Sequence, residues 1–367
     1  MPTRRAASLA VALACAVGPT ACSAGAATAP PSRTDAADIG GSAAQARLDK
    51  LYKAAQAEHR TQVLVYGPSQ NFYAGAYRAF QERYPAITII PQPIFGPQLT
   101  TKLAEEFASG KHAASLQTNG GSGIALSDQA GQCRPYKPFT AAYLSPDQVG
   151  PNDSFAAFVR FAVGIEYNTD KLTARQAPRS WTELARPAWR GRLVQADPAN
   201  VGVTSLMISH LTEARKLNTD WTGRLLDNSP QTVDTAALAE QSLARGEREV
   251  MVADNSAVYA AARAKNLPVG FVFPTEEGAR FDTQYLCLLK GAPAPEAAQL
   301  LVNWLHTEEG QRALAGAGLY GTRPQTPAPD GLPPLSRIQS RIIPEIPPGR
   351  QAEAVNRTIA VVKRLEK

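Results

Sequence analysis

In four short stretches of this 367-residue chain, hydroxyls, amides and glycines collect where a strand-like run gives way to a helical one. They are Gly67-Pro68-Ser69-Gln70-Asn71, Thr118-Asn119-Gly120-Gly121-Ser122, Asn200-Val201-Gly202-Val203-Thr204-Ser205 and Asp254-Asn255-Ser256. The first turn of a helix carries N–H groups with no intrahelical acceptor, and the helix dipole is positive there. Junctions of this kind suit a small anion, such as a phosphonate, phosphate ester, sulfonate or carboxylate. The contacts this reading selects are Ser69, Gln70, Asn119, Gly120, Gly121, Ser122, Thr204, Ser205, Asp254, Asn255 and Ser256, with Tyr259 one turn further on. The plainer reading of Ser69, Thr204 and Ser256 is that they cap helices. Asp254 repels an anion unless a cation such as Arg263 pairs with it. Together with Asp197 and Asp282 it would instead suit a polyamine.

Bond-making chemistry has little to stand on. The four histidines, His59, His112, His210 and His306, are far apart, and no HExxH or CxxC spacing occurs. The sequence therefore predicts no metal set, no cofactor and no catalytic residue. Gly120-Gly121-Ser122-Gly123 is followed by Ile124, which breaks the Gly-x-Ser-x-Gly spacing of a nucleophile elbow, and it lacks the Gly-Lys-Ser/Thr of a phosphate loop. It reads as a flexible loop that lets a ligand come close.

The elements that must position these junctions alternate. Apolar runs at 63–66 and 87–90 read as strands, and the periodic stretches at 44–58, 72–83 and 99–107 as helices. The alternation resumes with strands at 159–167, 192–195, 250–252, 269–273 and 281–289. Helices are expected at 204–215, 257–265, 295–306 and 351–365, with a Pro-rich connector at 324–334. Such alternation predicts an α/β fold with a largely parallel sheet, and the length predicts two domains. Trp181, Trp189 and Trp304 read as core anchors.

Composition is that of a globular protein, 44% hydrophobic and 19% charged. The formal net charge of +6 is scattered, with no basic stripe carrying aromatics, which argues against a nucleic-acid partner. Arg4 and Arg5, the apolar run 6–17 and the small residues Thr20 and Ala21 follow the order of a secretory leader over 1–21. The apolar run is too short to span a bilayer. Either ordinary cleavage follows, or Pro19-Thr20-Ala21-Cys22-Ser23, which resembles a lipobox, marks Cys22 for lipidation. The Ala/Gly/Ser/Pro-rich tether over 22–43 favours the lipoprotein, anchored on the outer face of the cytoplasmic membrane. Cys133 and Cys287 then remain as an even pair in an exported chain and read as a disulfide.

Three stretches resemble the extracellular solute-binding proteins of ABC importers, in the branch with ferric, polyamine, thiamine and phosphonate receptors. The first is Ala79-Phe80-Gln81-Glu82-Arg83-Tyr84-Pro85-Ala86-Ile87. The second runs through Gly164-Ile165-Glu166-Tyr167-Asn168-Thr169, Pro178-Arg179-Ser180-Trp181 and Trp189-Arg190-Gly191-Arg192. The third joins Trp304-Leu305, Glu308-Glu309-Gly310-Gln311 and Gly318-Leu319-Tyr320. The resemblance implies a two-lobed type II periplasmic-binding-protein fold, with a central ligand cleft and hinge strands crossing near 158–165, 281–287 and 319–324. It places lobe 1 at 44–160 plus 286–320 and lobe 2 at 161–285 plus 321–367. It further implies a monomeric receptor, not an enzyme, that closes on a small solute and hands it to an ABC permease. Ferric receptors of this branch use adjacent tyrosines where this chain has Ser256-Ala257. They have a His where it has Ser69 or Gln70, and a Glu at the place of Gln98. A ferric or polyamine receptor is thus the alternative, and an exported enzyme on the same fold the more distant one.

Overall fold

The computed structural model describes residues 39–366. The leader, Cys22 and the tether up to residue 38 lie outside the described residues. The strands are β1 (Gln62–Gly67), β2 (Thr88–Pro93), β3 (Leu116–Gly120), β4 (Cys133–Arg134), β5 (Ala156–Asn168) and β6 (Leu193–Ala196). They continue with β7 (Gln231–Val233), β8 (Val250–Asn255), β9 (Val269–Val272), β10 (Arg280–Leu289) and β11 (Tyr320–Gly321). They form one curled sheet in the order β2-β1-β3-β10-β5-β8-β6-β7, with β4, β9 and β11 pairing off this path. The β1–β2, β1–β3, β6–β7 and β6–β8 pairs are parallel, as short strand–helix units require. The two longest strands, β5 and β10, run antiparallel to each other through the middle. They match the expected crossings, and β11 adds the third by pairing with β5 at Arg160 and Val159.

Each half of the sheet buries its own core. In one, Val63, Val65, Leu116 and Leu286 pack with Phe80 and Trp304, whose rings lie 5.5 Å apart. In the other, Val163, Ile165, Val250 and Val252 pack with Trp181, Trp189, Trp221, Met207 and Leu211. The three expected tryptophan anchors are therefore core residues. Trp221 was not foreseen. Its indole N–H donates to the Trp181 carbonyl at 3.0 Å, so a large apolar body is buried with its polar tip satisfied. The expected disulfide is present. Cys133 of β4 bonds to Cys287 of β10, with Cα atoms 5.6 Å apart.

Two local expectations change. The first turn of the predicted 72–83 helix is a 3-10 turn, Gln70–Tyr73, and the α-helix is Ala74–Arg83. The Gly-rich stretch at 120–123 is not a flexible loop but opens the helix Gly121–Gln129. Its glycines serve close packing. A Cβ on Gly123 would come within 2.3 Å of the Asn119 amide, and one on Gly121 within 2.9 Å of the Gln351 Oε1. The C-terminal helix Pro348–Leu365 packs against both this helix and the helix Val203–Glu213 of the other half.

Candidate functional site

The first two junctions meet. Gly67, at φ 148°, lies so close to Thr118 that a Cβ would sit 2.1 Å from its carbonyl oxygen, so only glycine fits. Gln70 is buried at 2% exposure, its Nε2 donating to Thr118 Oγ1 at 2.7 Å and its Oε1 accepting from Tyr77 at 2.9 Å. Its amide is therefore engaged in tying the two junctions together. Ser69 is half-buried in a left-handed conformation and makes no side-chain cap, contrary to the N-cap reading. Asn119 and Gly120, next after Thr118 at the end of β3, are half-buried, with Asn119 Oδ1 accepting from Gly120 N–H at 2.9 Å. Ser122 N–H donates to Gln351 Oε1 at 2.7 Å, so the C-terminal helix occupies this N-terminus, against which Gly121 is buried.

The two junctions of the other half differ in the same respect. At the start of the helix Ser256–Ala264, Asn255 Oδ1 accepts from the N–H groups of Ala257 and Val258, both at 3.1 Å. Ser256 is buried and its Oγ accepts from the Ala162 N–H at 3.1 Å, fastening this helix to β5 rather than capping it. The helix Val203–Glu213 has no such plug. Ser205 Oγ turns back to the Gly202 N–H and carbonyl, at 3.0 and 3.1 Å. Thr204 is 0% exposed, and its Oγ1 has no hydrogen-bond partner among the described residues. Of the three α-helix starts, it is the one whose first-turn N–H groups meet no side-chain acceptor from the cap residue or from another element among the described residues.

The acidic residues separate by environment. Asp197 bonds the Ala199 N–H and the Asn200 amide, at 2.8 and 2.6 Å, and stabilises its own turn. Asp254 is fully buried. Burial pushes its carboxyl well above the usual range, opposed by the Asn255 N–H and reinforced by Glu240. Glu166 of β5 behaves likewise, with burial first and Asp254 second among the causes. Neither oxygen of Glu166 and only one of Asp254 has a partner among the described residues. Asp254 forms no ion pair with Arg263, which is exposed on the next helix.

Sequence reasoning missed the charged group on the crossing strands. Arg280 of β10 is 0% exposed. Its Nη2 pairs with Asp282 and approaches His210 Nδ1 at 3.3 Å, while Nε and Nη1 have no partner among the described residues. Burial and the adjacent Arg280 push His210 down to about 4, so its ring is neutral and Nδ1–H donates to the Leu206 carbonyl at 2.9 Å. A lone histidine and an arginine 70 residues apart give no local pattern by which to pair them.

Tyr259 and Tyr285 line different cavities and are not gathered into one site. Tyr259 packs on Phe271 at 5.1 Å and shares with Ser256 a cavity of about 610 Å³ that none of the other predicted contacts lines. Tyr285 lines a different cavity. Ala257 is buried in the apolar cluster that takes in Phe161, whose ring meets Phe72 at 6.0 Å. Among the described residues, no group of three His, Cys, Asp or Glu side chains is placed to hold a metal ion.

Comparison with known proteins fits this architecture. The structure aligns with iron-bound HitA from Pseudomonas aeruginosa at a TM-score of 0.67 and 20% identity, over 84% of this chain and 100% of that one. It aligns with AfuA from Actinobacillus pleuropneumoniae, solved with fructose-6-phosphate bound, at 0.66 and 18%, over 83% and 97%. In sequence it is 23% identical over 183 residues to the major ferric iron-binding protein of Neisseria meningitidis, covering 48% of this chain and 55% of that protein. An uncharacterized protein of Haemophilus influenzae is 27% identical over 154 residues, covering 41% and 44%. The chain thus spans about half the length of the curated relatives it matches. Residues 75–332 match the family described as bacterial extracellular solute-binding protein, and the chain belongs to that family.

Proposed function

We propose that this protein captures a small anionic solute in a cleft between two lobes and delivers it to an ABC permease. The observation that carries the anion is the start of the helix Val203–Glu213, where a buried, unpartnered Thr204 hydroxyl adjoins unspent first-turn N–H groups. A phosphoryl, sulfonyl or carboxylate oxygen would accept from all of them, in charge-assisted bonds about twice as strong as neutral ones. Ser69 and Asn119, both half-buried, are the proposed contacts from lobe 1. Burial raises the Asp254 carboxyl and so disfavours the charge that would oppose the anion. Lobe 1 comprises 44–160 plus 286–320, and lobe 2 comprises 161–285 plus 321–367. Binding of fructose-6-phosphate by AfuA, at 18% identity, lends the fold's precedent for a phosphorylated solute.

The test is titration of the purified protein with phosphonates, sugar phosphates, sulfonates and carboxylates, then with ferric complexes and polyamines. Thr204→Val keeps the shape and removes one donor, so affinity for the anion should fall by roughly 10- to 100-fold. The unliganded variant should be as stable as the parent, or more so, since an orphaned hydroxyl has gone. Response to iron or amines alone would defeat the anion reading. Cys22 is the proposed lipid anchor, and Cys22→Ala should move the protein from the membrane to the soluble fraction.

A further inference from the structure

The helix Ser42–Ala57 has two sides of different character. Leu48 and Ala55 are buried, and Leu51 and Tyr52 pack against the core of the first half. The other side carries Arg47, Lys50 and Lys53, all exposed and each three residues from the next, so they follow one another along the helix. Arg47 lies over the Phe139 ring at 3.8 Å, which joins the helix to a loop that adds the exposed Arg134 and Lys137. Burial raises the Tyr136 hydroxyl, while Asn303, Arg47 and Arg134 act to lower it, so both guanidinium groups reach one side chain. Five cations thus share one surface, and none forms an ion pair among the described residues. The nearby acids stand at its margins. Asp49 is half-buried on the flank towards Tyr84, and Glu58 follows the end of the helix. Asp153, whose carbonyl accepts from the Tyr136 N–H at 2.9 Å, is half-buried at the edge of the loop.

Single exposed cations are ordinary. What distinguishes these is their number, their common face and their place in the chain. The helix begins about twenty residues after Cys22, so even a fully extended chain keeps the two within about 70 Å. We propose that this face docks on the anionic headgroups of the membrane's outer leaflet and seats the first half against the bilayer, which rests on the reading of Cys22 as the lipid site. Each Lys or Arg near an anionic surface strengthens binding on the order of five-fold. Such a face is weak alone and effective once an acyl chain holds it near the membrane, the usual pairing of a lipid with a polybasic patch. The contact is with headgroups rather than acyl chains. The large apolar residues that the described structure exposes, Ile90, Phe95, Leu126, Val201, Leu238 and Leu365, all lie outside this helix and loop. The acyl chain sets the distance from the membrane, and the cationic face sets which end of the receptor meets it.

The experiment is co-sedimentation of the mature chain carrying Cys22→Ala, which holds no lipid, with vesicles of phosphatidylcholine alone or mixed with phosphatidylglycerol. Binding to the phosphatidylglycerol vesicles is expected at low salt and should fade as salt screens the charges. The triple variant Arg47→Gln, Lys50→Gln, Lys53→Gln should bind them at least ten-fold more weakly. Lys50→Glu alone, a single exposed change, should also weaken binding several-fold, which keeps the test valid should the triple variant fold poorly. Arg175→Gln, Arg179→Gln, Arg190→Gln removes the same charge from exposed positions of the second half and should bind as the parent does. The proposal is overturned if the parent shows no preference for phosphatidylglycerol, or if the two triple variants bind alike. Equal loss in both would mean that net charge acts and no face does. Failure of the lipid-anchor reading leaves a different mark. It appears in cell fractionation of Cys22→Ala, whereas no lipidated protein enters the vesicle assay.

Discussion

Glu166 and Asp254 sit on neighbouring strands, β5 and β8, near the register pair Gly164 and Asp254. Two carboxyls buried together cannot both ionise without a cost that nothing among the described residues offsets. Their raised folded values mean that, between the unfolded and folded values, the folded chain holds protons that the unfolded chain has released. The sign follows from linkage: the pair's contribution to stability is fully present below the unfolded carboxylate range, about pH 4, and is lost as pH rises through the raised folded values. Glu166→Gln removes one titration from the pair. Its melting temperature should fall less between pH 5 and pH 8 than that of the parent, ending about 2–4 °C higher at pH 8. Parallel curves for the two proteins would mean that the carboxyls ionise freely and that Asp254 does carry charge beside the cleft. Thr204 is likewise a buried polar group whose hydroxyl has no partner among the described residues, and such a group calls for an explanation.

At the scale of elements, the disulfide closes a span of 154 residues between β4 and β10. Loop-closure entropy gives such a link a stabilisation of up to about 5 kcal/mol. The Cys133→Ser, Cys287→Ser double variant should therefore melt lower, with solute affinity little changed, because both cysteines lie in the core around Tyr66 and Phe155 and neither is a proposed solute contact. Equal melting with and without reductant would contradict it. Strand runs, the alternation with helices and this cysteine pair were legible because each leaves a local or countable mark. The ends of elements were less so. Asn218, Thr235 and Thr307 cap helices through their side chains, and none of these three helices was expected from the sequence. The four junctions were legible as helix starts, but not which of them stay open. That depends on Gln351 reaching Ser122 across 229 positions and on Asn255 folding over its own helix. No pattern in a single sequence announces the first, and the second competes with ligand binding as an equal reading of the same residue.

At the scale of the molecule, the C-terminal segment ties the halves together. Ile343 belongs to the core of the second half, and Arg357 pairs with Glu213 of the helix Val203–Glu213 at 2.7 Å. From the helix Pro348–Leu365 that carries Arg357, Gln351 accepts from Ser122 N–H of the first half. Closing motions in a two-lobed protein set its solute affinity through the population of the closed state. A contact made across the halves stabilises the arrangement in which it forms, and a net hydrogen bond is worth about 0.5–1.5 kcal/mol. Gln351→Ala should shift the unliganded protein toward an open form, raising its radius of gyration in solution scattering, and should weaken solute binding by roughly 2- to 10-fold. The glutamine's removal also exposes the start of the helix Gly121–Gln129, so an added anion should partly restore the compact form. Scattering that matches the parent, with unchanged affinity, would show that the segment belongs to one half alone and plays no part in closure.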